Sequence, residues 1–269
     1  MTIAGNGDDQ FTPVVRQRRR LESMLAGLDH DSWSMASRCV GLTVKDVVAH
    51  LAGVNQFWTL SVKQGVAGVP TRLLGGFDPV TTPAAMVEAT RDQSPKEVLA
   101  QFVESNNDFL GALEALNLTQ WEMMAEAPPG HLSVRLVASH ALWDSWIHER
   151  DIALPLGISS PVFEDEVAAS LRYVCALSAA FLVLSRSGAT GKISLKSSNP
   201  SLEFTVIFNE EVAIHNWPLE PSEATLVGDS VELLEALSYR TPMPNELPSG
   251  WREILGGLAA VFDVAGSTI

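Results

Sequence analysis

The stretch His140-Ala141-Leu142-Trp143-Asp144-Ser145-Trp146-Ile147-His148-Glu149-Arg150-Asp151 decides how this chain folds. It lies in a longer run, 134–154, that holds no Gly or Pro and repeats apolar residues three and four apart. That pattern predicts one uninterrupted helix. At about 100° per residue, His140, Asp144, His148 and Asp151 fall on one narrow stripe. The other positions of the helix include Leu136, Val137, Leu142, Trp143, Trp146 and Ile147. A polar stripe on so apolar a helix faces either water or a site inside a bundle. Asp144 and His148, four apart, can point a carboxylate and an imidazole at one small cation. The same spacing is also common on solvated faces, where the pair contributes little. A third ligand would decide between the two.

Among six histidines, His50 has the most suggestive setting. Thr43-Val44-Lys45-Asp46 resembles a capping box with the shorter Asp in its last position, so a helix is expected to start there. Val47, Leu51, Val54 and Trp58 form its apolar face, and His50 sits at the edge of that face beside Val54 and Phe57. A satisfied core histidine and a ligand from a second helix both fit this position.

Working outward, a first helix is expected over about 12–28, with the basic run 16–20 on a solvated face. Residues 65–83 are rich in Gly and Pro and predict a long loop. A third helix is expected from Ser94 or Pro95 to 116, with Pro95 at the first helical position. Residues 121–130 look like a connection. Four helices with polar groups aimed inward from two of them describe a four-helix bundle with a core site. The run 154–161 ends the last of these helices and marks a domain boundary. Beyond it, a helix over 164–184, short alternating strands at 193–197, 202–208 and 212–217, and helices at 229–240 and 251–264 predict an α+β domain. The expected division is 1–157, a bundle, and 158–269, a small antiparallel sheet with helices on one side. Residues 1–10 are expected to be loose.

The 269 residues carry a net charge of −14 and are 46% hydrophobic. Mean hydropathy is +0.13 and the pI is near 4.8. So acidic a chain argues against nucleic acid and anionic membranes as partners. No apolar run approaches about 20 residues and no signal-like segment opens the chain, so a cytoplasmic protein is expected. Cys39 and Cys175 have no ligand spacing, which argues against a disulfide framework or an all-thiolate site.

Gly41-Leu42-Thr43-Val44-Lys45-Asp46-Val47-Val48-Ala49-His50-Leu51-Ala52-Gly53 resembles the GWTVRDVVAHLA signature of the mycothiol-dependent maleylpyruvate isomerase family. The run 144–154, with Gly157 after it, is similar to that family's second signature. The resemblance covers nearly the whole chain. It implies a DinB/YfiT-like metal-binding bundle followed by a domain similar to sterol carrier protein 2. It places the metal triad on His50, Asp144 and His148, where the family usually has Glu instead of Asp144. Two imidazoles and a carboxylate leave a position open, as catalytic zinc sites do, although non-haem iron would accept the same set. A thiol bound there loses its proton, so mycothiol as cosubstrate would supply the nucleophile without a protein cysteine. His140 is a candidate second partner or proton carrier, with a structural role equally open. Asp151 is expected to orient a neighbour, and Glu149 and Arg150 to be surface charges. The run 227–240 resembles the family's closing motif, which makes Arg240 a candidate anchor for an anionic substrate group at the interface of the two domains. A surface Arg paired with Glu232 or Glu235 is the alternative, and Tyr239 stands where the family more often has Gly.

The resemblance implies a metal- and mycothiol-dependent transferase or thiol-exchange enzyme acting on a small electrophile. Natural-product pathways such as lincosamide antibiotic biosynthesis use such members. Maleylpyruvate cis–trans isomerisation is the second expectation, and a non-catalytic small-molecule carrier the third.

Overall fold

The structure, a computed structural model, describes residues 1–4, 11–76, 85, 87–216, 219, 222–243 and 249–259. The chain forms two compact units, one of residues 10–161 and one of residues 1–9 with 162–269.

The larger unit is built on four long helices: α1 (Phe11–Ala26), α2 (Val44–Val66), α3 (Pro95–Glu114) and, after a short α4 (Leu118–Trp121), α5 (Val134–Ala153). They close a cycle in which α1 packs on α3 and α5, and α2 packs on the same two. The starts follow local chemistry. Thr43 and Asp46 form the reciprocal capping box at the head of α2, as their spacing predicts. Ser94 and Glu97 do the same for α3, with Pro95 at its first turn. Leu21, Leu25, Val47, Leu51, Val98, Phe102 and Ile152 fill one end of the interior.

Two expectations change here. The segment 121–130 is not a plain connection: β2 (Met124–Ala127) and β3 (Gly130–Ser133) form an antiparallel hairpin there. Strands of four residues around Pro128-Pro129 are too short to show an alternating pattern. The expected 65–83 loop begins later, because α2 runs through Val66. Gly65 lies within the helix where a Cβ would come within 2.5 Å of the Met124 carbonyl oxygen, so only glycine lets β2 pass this close to α2. The buried Glu126 of β2 then ties the following segment down, accepting the Leu73 and Leu74 N–H groups at 2.8 and 2.7 Å. Residues 77–84 lie outside the described residues.

In the second unit a five-stranded sheet runs in the order β1-β6-β5-β4-β7, with β1 (Thr2–Ile3), β4 (Gly191–Ser198), β5 (Leu202–Phe208), β6 (Val212–His215) and β7 (Ala224–Asp229). The sheet is mixed, not antiparallel as expected. β4, β5 and β6 form an antiparallel meander, while β7 lies parallel to β4 and β1 parallel to β6. Both added strands escape a pattern reading: β1 has two residues, and in β7 only Leu226 is buried. Thr2 and Ile3 are therefore paired rather than loose, whereas residues 5–10 lie outside the described residues. Trp217 and residues 260–264, expected to extend β6 and the last helix, also lie outside them.

α6 (Glu164–Ser185) packs on β5, β6, α7 (Ser230–Leu237) and α8 (Ser249–Ala259). By length and composition α6 could cross a membrane, but it is mostly buried as the core helix of this unit.

Candidate metal centre

His50 on α2 and Asp144 and His148 on α5 meet. Each offers one ligand atom, and these atoms lie within 4.8 Å of one another. His148 Nε2 is 3.5 Å from Asp144 Oδ1. The His50 and His148 rings meet edge to face, 5.1 Å apart. Donor atoms held about 2.1 Å from a tetrahedral cation are about 3.4 Å apart, so the His148–Asp144 edge already has the right length. Asp144 Oδ2 is buried and has no hydrogen-bond partner among the described residues. A buried carboxylate oxygen left that way is costly, and a cation would satisfy it. These residues fit a divalent metal.

The surroundings are charged and largely buried. Burial alone would raise the Asp144 pKa, but His148, His50, His140 and Arg18 together hold it below the usual carboxylate range. For His148, burial works downward, yet the Asp144 charge and the Asp151 and Cys39 contacts raise its pKa well above the ordinary imidazole value. Arg18, expected on a solvated face, is fully buried. It donates to the Ala141 carbonyl at 3.0 Å and to the Asn55 side chain, with its guanidinium over the Phe109 ring. Burial lowers its pKa to about 10, with Asp144 pulling the other way. Helix α1 turns this face inward because it packs on α3 and α5. Glu149 is likewise buried, not on the surface: Arg20 grips it with two 2.8 Å contacts and Gln17 adds one of 3.0 Å.

His140 lies one turn before Asp144, buried between two indoles, with Trp58 at 4.8 Å and Trp143 at 5.2 Å. Burial lowers its pKa to about 4, against the pull of Asp144, so it is neutral near pH 7.

Cys39 and Arg38 were not expected in this region. Both reach Asp151 from the segment between the 3₁₀ turn (Asp31–Ser34) and α2, the thiol at 3.2 Å and the guanidinium at 3.7 Å. Nothing in the local spacing marks them. Only their place just before the Thr43 cap ties them to the helix of His50. Cys175, by contrast, is wholly buried in α6, where burial pushes its thiol pKa far up.

Arg240 belongs to the other unit and follows α7. Its N–H bonds the Glu235 carbonyl at 2.9 Å and the Tyr239 N–H bonds that of Ala236 at 3.0 Å, the two hydrogen bonds of a Schellman turn. Tyr239 therefore carries φ +58°. The turn demands the left-handed region, which accounts for Gly as the more usual residue there. The Arg240 Nη1 donates to the Ser238 carbonyl at 3.1 Å.

A mixed helix-and-sheet fold with side chains that converge as metal ligands could is the class that emerges. The model of the mycothiol maleylpyruvate isomerase N-terminal domain matches residues 14–153, and the chain belongs to that family. Two crystal structures are similar to it, one of the mycothiol-dependent maleylpyruvate isomerase and one of a histidine-to-alanine variant of that enzyme. Their TM-scores are 0.61 and 0.62, each at 14% identity, over 86% of this chain and 88% of theirs. At that identity the likeness shows a shared fold. No curated protein sequence matches the chain.

Proposed function

We propose that this protein is an enzyme that uses mycothiol and a divalent metal, zinc first among the candidates, to carry a thiol onto or between small electrophiles. The observation that carries this proposal is the convergence of His50, Asp144 and His148 around an unpartnered, buried Asp144 oxygen, in a chain of the mycothiol maleylpyruvate isomerase family. A bound metal would supply an open position at which an incoming thiol gives up its proton at neutral pH. His50 and His148 would ligate such a metal as neutral imidazoles from two helices, so the position of α2 against α5 sets the width of the site. Asp144 would supply the negative charge that balances a cation there, with a shorter reach than the Glu more usual in the family. Trp58 and Trp143 flank the His140 ring one turn before Asp144, which favours a lining role for His140. The nucleophile arrives with the cosubstrate, and Cys175, deeply buried, is unsuited to supply it.

Cis–trans isomerisation of maleylpyruvate is the second reading, favoured by the structural likeness to that isomerase over most of both chains. It differs only in that the thiol leaves again after bond rotation. A non-catalytic carrier has no need of convergent ligands. The cycle of four helices is read as a DinB-like bundle, the second unit as a domain similar to sterol carrier protein 2, and the setting as cytoplasmic. A part in natural-product biosynthesis and an anion-anchoring role for Arg240 rest on the sequence resemblance.

The test is to supply metal-loaded protein with mycothiol and either maleylpyruvate or an alkylating electrophile. Turnover is expected to require the thiol and to survive Cys175→Ser. Arg240→Ala should slow it roughly 30- to 1000-fold, the loss of a charge-assisted contact worth about 2–4 kcal/mol in the transition state. Turnover without any low-molecular-weight thiol would refute the proposal.

A further inference from the structure

Asp151 is fully buried and stands one turn beyond His148 on α5. Its Oδ2 lies 3.0 Å from His148 Nδ1 and 3.2 Å from Cys39 Sγ. The Arg38 guanidinium is 3.7 Å from the other oxygen, and the Arg38 backbone N–H donates to the Asp151 carbonyl at 3.0 Å. An ionised carboxylate only accepts, so the imidazole N–H and the thiol must be the donors. With Nδ1 carrying that proton, the nitrogen facing Asp144 is Nε2.

We infer that Asp151 is a positioning residue: it fixes the His148 ring with Nε2 aimed at the metal position, and the 38–39 segment clamps Asp151 in turn. This rests on the metal-centre reading above. The clamp also reaches the second helix of the site. Ser37 Oγ accepts from the Cys39 N–H at 3.1 Å and donates to the Leu42 carbonyl at 2.8 Å. Ala36 forms a β-bridge with Thr43, the residue that caps α2. One turn of chain therefore holds Cys39 on Asp151 and starts the helix that delivers His50. Such outer partners set the orientation and basicity of a ligating imidazole.

Cys39, His148 and Asp151 are themselves close enough together to hold an ion. Their ligand atoms are already engaged as donors and acceptor with one another, and the Arg38 charge beside Asp151 opposes a second cation there.

Metal-free wild type, Asp151→Ala, Asp151→Asn, Cys39→Ser and Cys39→Ala would be titrated with Co²⁺, reading affinity, stoichiometry and the visible spectrum, with circular dichroism as the folding control. Asp151→Ala should bind about 10- to 100-fold more weakly with an altered spectrum. Asp151→Asn, which keeps the shape and an acceptor oxygen, should fall between it and wild type, and it carries the test if the Ala variant does not fold. Cys39→Ser retains a donor and should restore most of what Cys39→Ala loses. Wild type that takes no Co²⁺ overturns the metal centre and this inference together. Wild type that binds, with both Asp151 variants within about twofold and spectrally unchanged, overturns the inference alone. Two ions per chain, one of them lost in Cys39→Ala, would make Asp151 a ligand and also overturn it.

Discussion

Helices α5 and α6 are equally hidden, each with sixteen buried residues, yet they bury polar groups in opposite ways. In α6, Ser178 and Arg172 turn back on their own helix. Ser178 Oγ donates to the Val174 carbonyl at 2.8 Å, and Arg172 reaches the Ala168 carbonyl while its guanidinium lies over Phe204. In α5 the acidic groups also draw partners from other elements: Gln17 and Arg20 for Glu149, Cys39 and Arg38 for Asp151, His50 for the Asp144–His148 pair. Locally satisfied groups cost little and specify little. Groups satisfied only across elements fix how those elements sit, and leaving one out exposes the full desolvation cost of its partner. Burial alone does not mark a site. The address of the partner does.

The strongest test of that contrast is metal content. His50→Ala or His148→Ala should lose most of the bound metal while Cys175→Ser in α6 retains it, as elemental analysis would show. Equal metal in all three would remove α5 from any site. Next comes stability. Glu149→Ala removes the buried carboxylate that Arg20 and Gln17 grip and should cost about 3 kcal/mol in urea unfolding. A loss under about 1 kcal/mol would mean that the cross-element grip behaves as a surface pair. Ser178→Ala removes only a bond within α6 and should stay within about 0.5 kcal/mol of wild type.

The smallest effect is local and tests a carboxylate tied across elements away from the metal centre. At Glu126, burial works to raise the pKa, but the Leu73 and Leu74 N–H bonds and nearby His131 bring it below its ordinary value. Its folded value lies below its unfolded one, so the tie is in force above the unfolded pKa and is lost as pH falls through the folded value. Amide exchange at Leu73 and Leu74, corrected for intrinsic rates, should quicken below about pH 4 in wild type. Glu126→Gln should show that quickening already at neutral pH, with metal content unchanged. Exchange insensitive to both would leave Glu126 without a tethering part.

The helical half was legible because its signals are local. The Thr43–Asp46 cap, Pro95, and the unbroken periodicity of α5 each announce an element within a few residues. Spacing offered Asp144 and His148 as a pair on one helix face and left His50 open; it was the family resemblance that joined the three. What escaped depends on distant partners. Arg18 and Glu149 look like surface charges until α1 is laid on α5, and Cys39 carries no mark before Asp151 is set beside it. The hairpin at β2–β3 and the outer strands β1 and β7 are too short or too exposed to alternate visibly, so the mixed character of the sheet appears only with its pairing.

That pairing has a bearing on the order in which the molecule is made. Thr2 lies against Ala213 and Ile3 against Ile214, so β1 waits for a neighbour synthesised roughly two hundred residues later, a contact of the slow, non-local kind. The helical unit, encoded wholly in between, can fold on the ribosome while that edge is still open. Closing the sheet is then a late event. A bulky fusion just ahead of Thr2 would hinder that last strand, leaving the edge of β6 unpaired and prone to self-association, long after the helices that carry His50, Asp144 and His148 have assembled.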